Sequence, residues 1–239
     1  MHMKSEGNKK LYLIASGIFI FFIYQVVSLY GGQYPIVNFP AKGETIVALG
    51  DSLTLGVGAS APENGYIGVL ERRLGITIVN RGVSGNTTAD ALLRIDTDIT
   101  PLHPDIVMIL LGGNDYLKKI PQQETFANLS RIIKKLQSEG AVVLLLGVRG
   151  GLLHDKWRDD FHTLAKNTGS LYVPDVLEGI FGNIKLMSDE VHPNDAGYMK
   201  MADKIAPTLD GIVLSSPASL AHLKTPPTLD TVRTSPSSE

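Results

Sequence analysis

A serine and, far along the chain, an aspartate and a histidine are of the types that together activate a hydroxyl group. Ser52 stands in the sequence GDSLT, directly after an apolar run. Asp189 and His192 lie three positions apart in the short polar sequence DEVHP. A serine nucleophile needs a general base to take its proton and a carboxylate to hold that base. These residues therefore indicate nucleophilic catalysis by Ser52, with His192 as the base and Asp189 as its partner.

The segments that must bring these residues together alternate between strand-like and helix-like patterns. Apolar runs predict strands, and apolar residues at helical spacing predict helices. The predicted strands are 46–49, 76–79, 105–111, 141–146 and 171–173, and the predicted helices are 66–74, 88–98, 122–138, 156–168 and 194–210. Such alternation predicts an α/β fold, a three-layer αβα sandwich around a central parallel sheet. Ligands of open parallel sheets bind at the carboxyl ends of the strands.

Two glycine-bearing loops supply candidate donors for a negatively charged oxygen. Gly85 lies in a loop after the second predicted strand, and Asn114 lies in the sequence GGND after the third. Backbone N–H groups and a carboxamide can donate hydrogen bonds to an oxyanion. Two further acids, Asp51 in the GDS sequence and Asp115 in the GGND sequence, are predicted to hold their loops and to take no part in the chemistry.

These motifs, GDS at 50–52, Gly85, GGND at 112–115 and DxxHP at 189–193, resemble those of the SGNH (GDSL-type) hydrolase superfamily. The sequences LGGND and VSGNT are most similar to the bacterial lysophospholipase, arylesterase and thioesterase group. The resemblance covers about residues 44–210 and implies a flavodoxin-like sandwich. One departure is Glu190, where many members have glycine.

The resemblance also implies roles for individual residues. Ser52 would be the nucleophile and would donate its backbone N–H to the oxyanion. Gly85, through its backbone, and Asn114, through its side chain, would complete the oxyanion hole. His192 would be the general base and Asp189 its orienting partner. The implied activity is hydrolysis of carboxylic esters through an acyl-enzyme.

The substrate is left open between several alternatives. Apolar residues in the loops 116–121, 148–157 and 176–187 predict a pocket for an acyl chain, as in lysophospholipid, aryl or thio esters. The alternatives are a carbohydrate or cell-wall O-acetylesterase and, in another class, a non-catalytic binding module on the same fold. The expected partner is a small or lipid-derived ester.

The N-terminal segment has the pattern of a membrane anchor. Lys4, Lys9 and Lys10 precede residues 11–29, which carry no charge. A helix of that length rises about 28 Å, close to the thickness of the apolar part of a bilayer. The lysines predict a cytoplasmic N-terminus and a catalytic domain outside the cytoplasm, at the periplasmic face in a Gram-negative bacterium. The alternative is a cleaved signal peptide and a secreted or periplasmic protein.

Composition sets further bounds on the 239-residue chain. The predicted organisation is a transmembrane helix within residues 1–30, a linker at 31–43, one hydrolase domain at 44–214 and a disordered Ser-, Thr- and Pro-rich tail at 215–239. A net charge of −2 predicts no nucleic-acid partner. The absence of cysteine excludes disulfides and thiolate chemistry. No metal and no cofactor are expected, because the histidines show no ligand-like spacing.

Overall fold

Short apolar strands form the centre of the molecule, which we analysed as a computed structural model that describes residues 34–150 and 157–217. Within these residues the strands are β1 (Ile46–Gly50), β2 (Ile78–Gly82), β3 (Ile106–Leu110), β4 (Val142–Leu146) and β5 (Leu171–Val173). All pair in parallel, in the order β2-β1-β3-β4-β5. Every residue of β1, β3 and β4 is buried. Such continuously apolar strands are covered on both faces, as a parallel sheet requires.

Helices cover this sheet in two groups. They are α1 (Ser52–Leu55), α2 (Tyr66–Leu74), α3 (Thr88–Leu93), α4 (Gly113–Leu117), α5 (Gln122–Ser138), α6 (Arg158–Thr168) and α7 (Asp195–Leu214). Helix α2 packs against α7, while α5 packs against both α3 and α6. The predicted central parallel sheet with flanking helices is therefore confirmed.

Three elements differ from the sequence prediction by three or more residues at one end. Strand β2 lies two to three residues later than predicted, because the polar residues Asn80 and Arg81 pair with β1 at the half-exposed edge of the sheet. The helix predicted at 88–98 leaves α geometry after Leu93 and continues as a wider helical turn at Ile95–Ile99. The last helix extends four residues past the predicted end, to Leu214.

The segments on either side of the predicted domain make contacts with it. From Tyr34 onward the predicted linker packs on the body: Val37 N–H donates to the Gly169 carbonyl at 2.9 Å, and Ala41 is fully buried. Ser215 and Ser216, the first residues of the predicted tail, are also buried. Residues 218–239 lie outside the described residues.

The predicted membrane anchor at residues 11–29 also lies outside the described residues. Across residues 34–150 and 157–217, no helix is both long enough and apolar enough to cross a membrane.

The strand order determines where a site can form. The chain goes from β1 to β2 on one side and then returns to place β3 on the other side of β1. The loops that follow β1 and β3 therefore leave the sheet side by side in different directions and open a crevice between them. This is the position at which open α/β sheets bind ligands.

Candidate active site

Ser52 lies just beyond the carboxyl end of the inner strand β1, as the first residue of the short helix α1. The preceding residue, Asp51, caps this helix by accepting a hydrogen bond from the N–H of Leu53 at 3.0 Å. Gly56 ends the helix after one turn with a φ of 91°. The side chain of Ser52 is thereby held at the edge of the sheet, mostly buried.

His192 and Asp189 come from a narrow loop that precedes the last helix. The loop is closed by a bridge between Met187 and Pro193 and by a 2.8 Å hydrogen bond from the Ser188 N–H to the His192 carbonyl. One oxygen of Asp189 accepts the N–H groups of Val191 and His192, each at 2.7 Å. The other oxygen lies 2.8 Å from Nδ1 of His192.

The imidazole of His192 connects this loop to Ser52. Its Nε2 lies 3.0 Å from the Ser52 hydroxyl oxygen, across 140 residues of sequence. The hydrogen bonds from the His192 ring and from the two loop N–H groups lower the pKa of Asp189 to about 2. Asp189 is therefore an ionised acceptor at neutral pH, so the neutral imidazole carries its hydrogen on Nδ1. Its Nε2 lone pair then faces the Ser52 hydroxyl, which is the arrangement needed to accept a proton.

Asn114 lies between the loops that follow β1 and β2. Its Nδ2 donates to the Asp51 carboxylate at 3.2 Å and to the Asn86 carbonyl at 3.0 Å. Asp51 adjoins Ser52 and Asn86 adjoins Gly85, so the carboxamide is close to both backbone donors named from the sequence. Among the described residues, the N–H groups of Ser52 and Gly85 have no hydrogen-bond acceptor. Ser52 and Asn114 also line the same cavity.

The other two loop carboxylates are buried. Asp115 accepts hydrogen bonds from the N–H and hydroxyl of Thr88, at 2.9 and 2.5 Å, and from the Thr125 hydroxyl at 3.3 Å. It thereby ties the start of α4 to the start of α3, which agrees with the structural role expected for it. Asp51 is 3% exposed. Burial raises the pKa of Asp51 to about 6, although the Leu53 N–H and the charge of His192 act in the opposite direction.

Two supporting residues were not identified from the sequence. Arg94 donates to the side chain of Asn86 at 2.8 Å and to the carbonyl of Gly50 at 3.2 Å, and so connects the loops from behind. Gly58 has a φ of 94°, and a Cβ there would lie 2.9 Å from the Cβ of His192. Neither residue stands in a motif, so no sequence signal pointed to them.

A cavity of about 500 Å³ opens beside Ser52. Its walls are mainly apolar and are formed by Leu53, Tyr116, Leu117, Val148, Leu177, Phe181 and Val191, with Asn114, Arg149 and Glu190 among the polar groups. The three predicted loops all contribute to it. Ile180, which the sequence also suggested, is fully buried in the core. Leu152 and Leu153 lie outside the described residues.

No group of three or more histidine, aspartate and glutamate side chains in the described residues is arranged to hold a metal ion.

Comparison with known proteins agrees with this architecture. The model of the GDSL-like lipase/acylhydrolase family matches residues 48–200. Esterase TesA of Pseudomonas aeruginosa is 30% identical over 180 residues, which cover 71% of this chain and 89% of that protein. An acetylxylan esterase of Geobacillus stearothermophilus is 28% identical over 201 residues, covering 67% of this chain and 91% of that one.

A solved structure shows the same fold. The crystal structure of the psychrotrophic esterase EstA from a Pseudoalteromonas species, inhibited by monoethylphosphonate, superposes with a TM-score of 0.64 at 27% identity. The superposition covers 70% of this chain and 97% of EstA. The chain therefore belongs to the GDSL-like lipase/acylhydrolase family and is a serine ester hydrolase.

Proposed function

We propose that Ser52, His192 and Asp189 form the catalytic triad of this esterase. The observation that carries the proposal is the unbroken chain of contacts from the Asp189 carboxylate through both nitrogens of His192 to the Ser52 hydroxyl, at 2.8 and 3.0 Å. In the first step, the Ser52 oxygen attacks the acyl carbonyl while Nε2 of His192 takes the hydroxyl proton. The ionised Asp189 stabilises the imidazolium that forms.

The same proposal assigns the negative charge that develops on the substrate to an oxyanion hole. The N–H groups of Ser52 and Gly85 donate to the tetrahedral oxyanion, and Nδ2 of Asn114 joins them by giving up one of its two contacts, with Asp51 or with the Asn86 carbonyl. Its collapse breaks the ester bond, and the leaving alcohol or thiol receives the proton from His192. Water then attacks the acyl-enzyme by the same route and restores the Ser52 hydroxyl.

The first experiment tests the nucleophile. Ser52→Ala is expected to abolish ester hydrolysis and labelling by a fluorophosphonate probe, while far-UV circular dichroism stays that of the wild type. Ser84→Ala is the matched control, because Ser84 is an exposed serine in a neighbouring loop. That variant is expected to keep both activity and labelling. Hydrolysis near the wild-type rate in the Ser52 variant would overturn the proposal.

We further propose that the preferred substrates are esters with an apolar acyl chain, such as lysophospholipid, aryl or thio esters. The support is the cavity of about 500 Å³ beside Ser52, whose walls are largely leucine, valine and aromatic side chains. This volume falls in the range of roughly 300–1,000 Å³ that accommodates ligands much larger than an acetyl group. Burial of each additional methylene is worth about 0.8 kcal/mol, or roughly fourfold in kcat/KM.

A panel of p-nitrophenyl esters from acetate to dodecanoate tests this preference. We expect kcat/KM to rise with chain length until the cavity is filled, and then to level off. The second candidate, a carbohydrate O-acetylesterase, is supported by the acetylxylan esterase relative. Acetylated xylan and cell-wall preparations are therefore included. A maximum at acetate, together with deacetylation of the polysaccharide, would favour that candidate and reject the acyl-chain proposal.

We also propose that the domain is anchored outside the cytoplasm by residues 11–29. The support comes from the sequence alone, from an uncharged run of 19 residues that follows three lysines. The expected result is full-length intact mass and retention in the carbonate-washed membrane fraction. A soluble protein that lacks the first 30 or so residues would overturn the proposal in favour of a cleaved signal peptide.

A further inference from the structure

An arginine lies in the otherwise mostly apolar wall of the cavity beside Ser52. Arg149 follows the end of β4 by three residues, and its side chain is 26% exposed. The other charged side chains of the wall, Asp51 and Glu190, are acids, so Arg149 is the single cation among the described residues that line the cavity. Because a partly buried charge is costly without a partner, its contacts indicate what it can bind.

Asp175, in the loop after β5, contacts Arg149 from one edge. One carboxylate oxygen of Asp175 lies 3.2 Å from Nε of Arg149, and the side chain of this acid is almost fully buried. The other oxygen accepts the N–H of Leu177 at 3.2 Å, which fixes the carboxylate. A guanidinium has five N–H donors, and four of them are on the two Nη atoms. Within residues 34–150 and 157–217, these Nη atoms have no acceptor at hydrogen-bond distance, so they remain available to a ligand.

The described groups around this ion pair are more basic than acidic. Arg158 lies 3.3 Å from a carboxylate oxygen of Glu178, and Lys204 lies 3.9 Å from the other oxygen of the same acid. Burial lowers the pKa of Lys204, the charges of the two acids raise it, and those of the two arginines lower it further, so the five groups act on one another. Three bases thus face two acids. Of these five, Arg149 alone lines the cavity, so the excess positive charge acts on the cavity through it.

The strand order sets the distance from Arg149 to the reacting serine. Strand β3 separates β4 from β1, and neighbouring strands lie about 4.8 Å apart, so the ends of β1 and β4 are about 10 Å apart. An anionic group a few bonds from a reacting ester carbonyl falls within reach of an arginine side chain at that spacing. Glu190, two residues from His192, repels such a group from the catalytic loop and so favours its placement at Arg149.

We propose that Arg149 forms an anion subsite that binds a phosphate or carboxylate carried by the ester substrate. The inference rests on the proposed function, because it places the subsite in the cavity assigned to the acyl ester. Guanidinium groups bind both anions through paired hydrogen bonds, and the contact with Asp175 holds this one in place beforehand. The negative charge can come from the alcohol part of the ester, as in a lysophospholipid, or from the acyl part, as in a monoester of a dicarboxylic acid.

Two matched pairs of esters test the subsite and distinguish these sources. The first pair is 1-decanoylglycerol 3-phosphate and 1-decanoylglycerol, and the second is p-nitrophenyl hydrogen adipate and its methyl ester. In each pair, the preference is the ratio of kcat/KM for the anionic ester to that for the neutral one. This ratio cancels any general loss of activity in a variant. We expect Arg149→Gln to lower the preference by about 10–100-fold in one pair, the effect of losing a charge-assisted hydrogen bond. A fall of fivefold or more in either pair supports the proposal, and a smaller change in both overturns it.

A second variant guards against a loss of folding. Arg149→Gln leaves the buried Asp175 without this ion pair, which lowers stability. Arg149→Gln combined with Asp175→Asn removes both charges. Asparagine at 175 can still accept the Leu177 N–H, and it tolerates the φ of 26° found there. The double variant should lose the preference to the same extent, and a double variant that keeps the wild-type preference overturns the proposal.

Arg131→Gln is the matched control for the loss of an arginine. Arg131 is exposed on α5 and does not line the cavity. Its preference is expected to equal that of the wild type, and an equal loss there would overturn the proposal. Ser52→Ala separates this proposal from the proposed function. If that variant remains active, the triad assignment fails. A preference that does not depend on residue 149, beside an inactive Ser52 variant, rejects the anion subsite alone.

Discussion

Replacement of Asp51 by asparagine is expected to stabilise the fold at neutral pH. Burial raises the pKa of the Asp51 carboxyl from 3.8 to about 6. Each pH unit of this difference corresponds to about 1.4 kcal/mol, so keeping Asp51 ionised costs the folded state about 3 kcal/mol at neutral pH. An amide of the same shape carries no such cost. The nitrogen of that amide would face Nδ2 of Asn114, donor against donor, and this contact reduces the gain in stability by about 1 kcal/mol. The free energy of unfolding should therefore rise by about 2 kcal/mol.

The pH dependence of this difference follows from the direction of the shift. Because the folded state binds the Asp51 proton more tightly than the unfolded chain does, wild-type stability falls as the pH rises from about 4 to about 6. The Asp51→Asn variant lacks this contribution. The variant should therefore be the more stable protein above pH 6, and the advantage should disappear near pH 4.

Urea unfolding of both proteins between pH 4 and 8 measures the effect. A gain of about 2 kcal/mol corresponds to a rise in Tm of about 4–8 °C for a domain of this size. Asp90→Asn provides a control of opposite sign, because hydrogen bonds from the Thr87 backbone and side chain lower the pKa of Asp90. That variant should lose stability at neutral pH. A difference between wild type and Asp51→Asn that is the same at pH 4 and pH 8 would refute the reasoning.

Three further substitutions test how the site is held together. Gly58→Ala forces a left-handed backbone with a φ of 94° on a residue whose new Cβ lies 2.6 Å from the Pro193 carbonyl, so it should displace His192 and lower kcat at least tenfold. Unchanged kcat would contradict the tight approach seen there. Asp189→Asn should lower kcat by about 10³–10⁴, because an amide no longer selects the Nδ1–H tautomer; a fall of less than tenfold would speak against that role. Asp115→Ala leaves three buried donors without their acceptor and should reduce the free energy of unfolding by about 3 kcal/mol in urea titrations. A loss below 1 kcal/mol would show that water replaces the carboxylate.

The fold was predictable from the sequence where burial determines the residue types. Strands β3 and β4 are apolar throughout because both faces are covered, and such runs are easily recognised. Strand β2 was misplaced because it is an edge strand, half exposed, and the polar residues Asn80 and Arg81 are compatible with pairing there. The predicted end of the closing helix, at residue 210, falls four residues before the observed end at Leu214, although the last residues of the helix are buried.

The candidate site was predictable as a set of residues but not as a geometry. Motifs identify Ser52, Asp189 and His192 because their chemistry limits which residue types can serve. The contact between Asp51 and Asn114 could not be foreseen, since it joins residues 63 positions apart and depends on the orientation of a carboxamide. Arg94 was missed because a lone arginine in a helix has no distinguishing pattern. Phe181 and Ile180 are adjacent apolar loop residues that the sequence does not distinguish. In the structure, Phe181 lines the cavity and Ile180 is fully buried in the core.

The 140-residue separation between the Ser52 hydroxyl and the His192 ring has a consequence for biosynthesis. Chains emerge from the ribosome N-terminus first, so the serine is made long before the imidazole that contacts it. Strand β1 also lacks its neighbour β3 until about 60 further residues have been synthesised, because β1 begins at Ile46 and β3 at Ile106. A nascent or truncated chain that ends before residue 192 therefore carries an ordinary, unreactive alcohol. Under the proposed mechanism, hydrolytic activity begins only once essentially the whole domain has been translated.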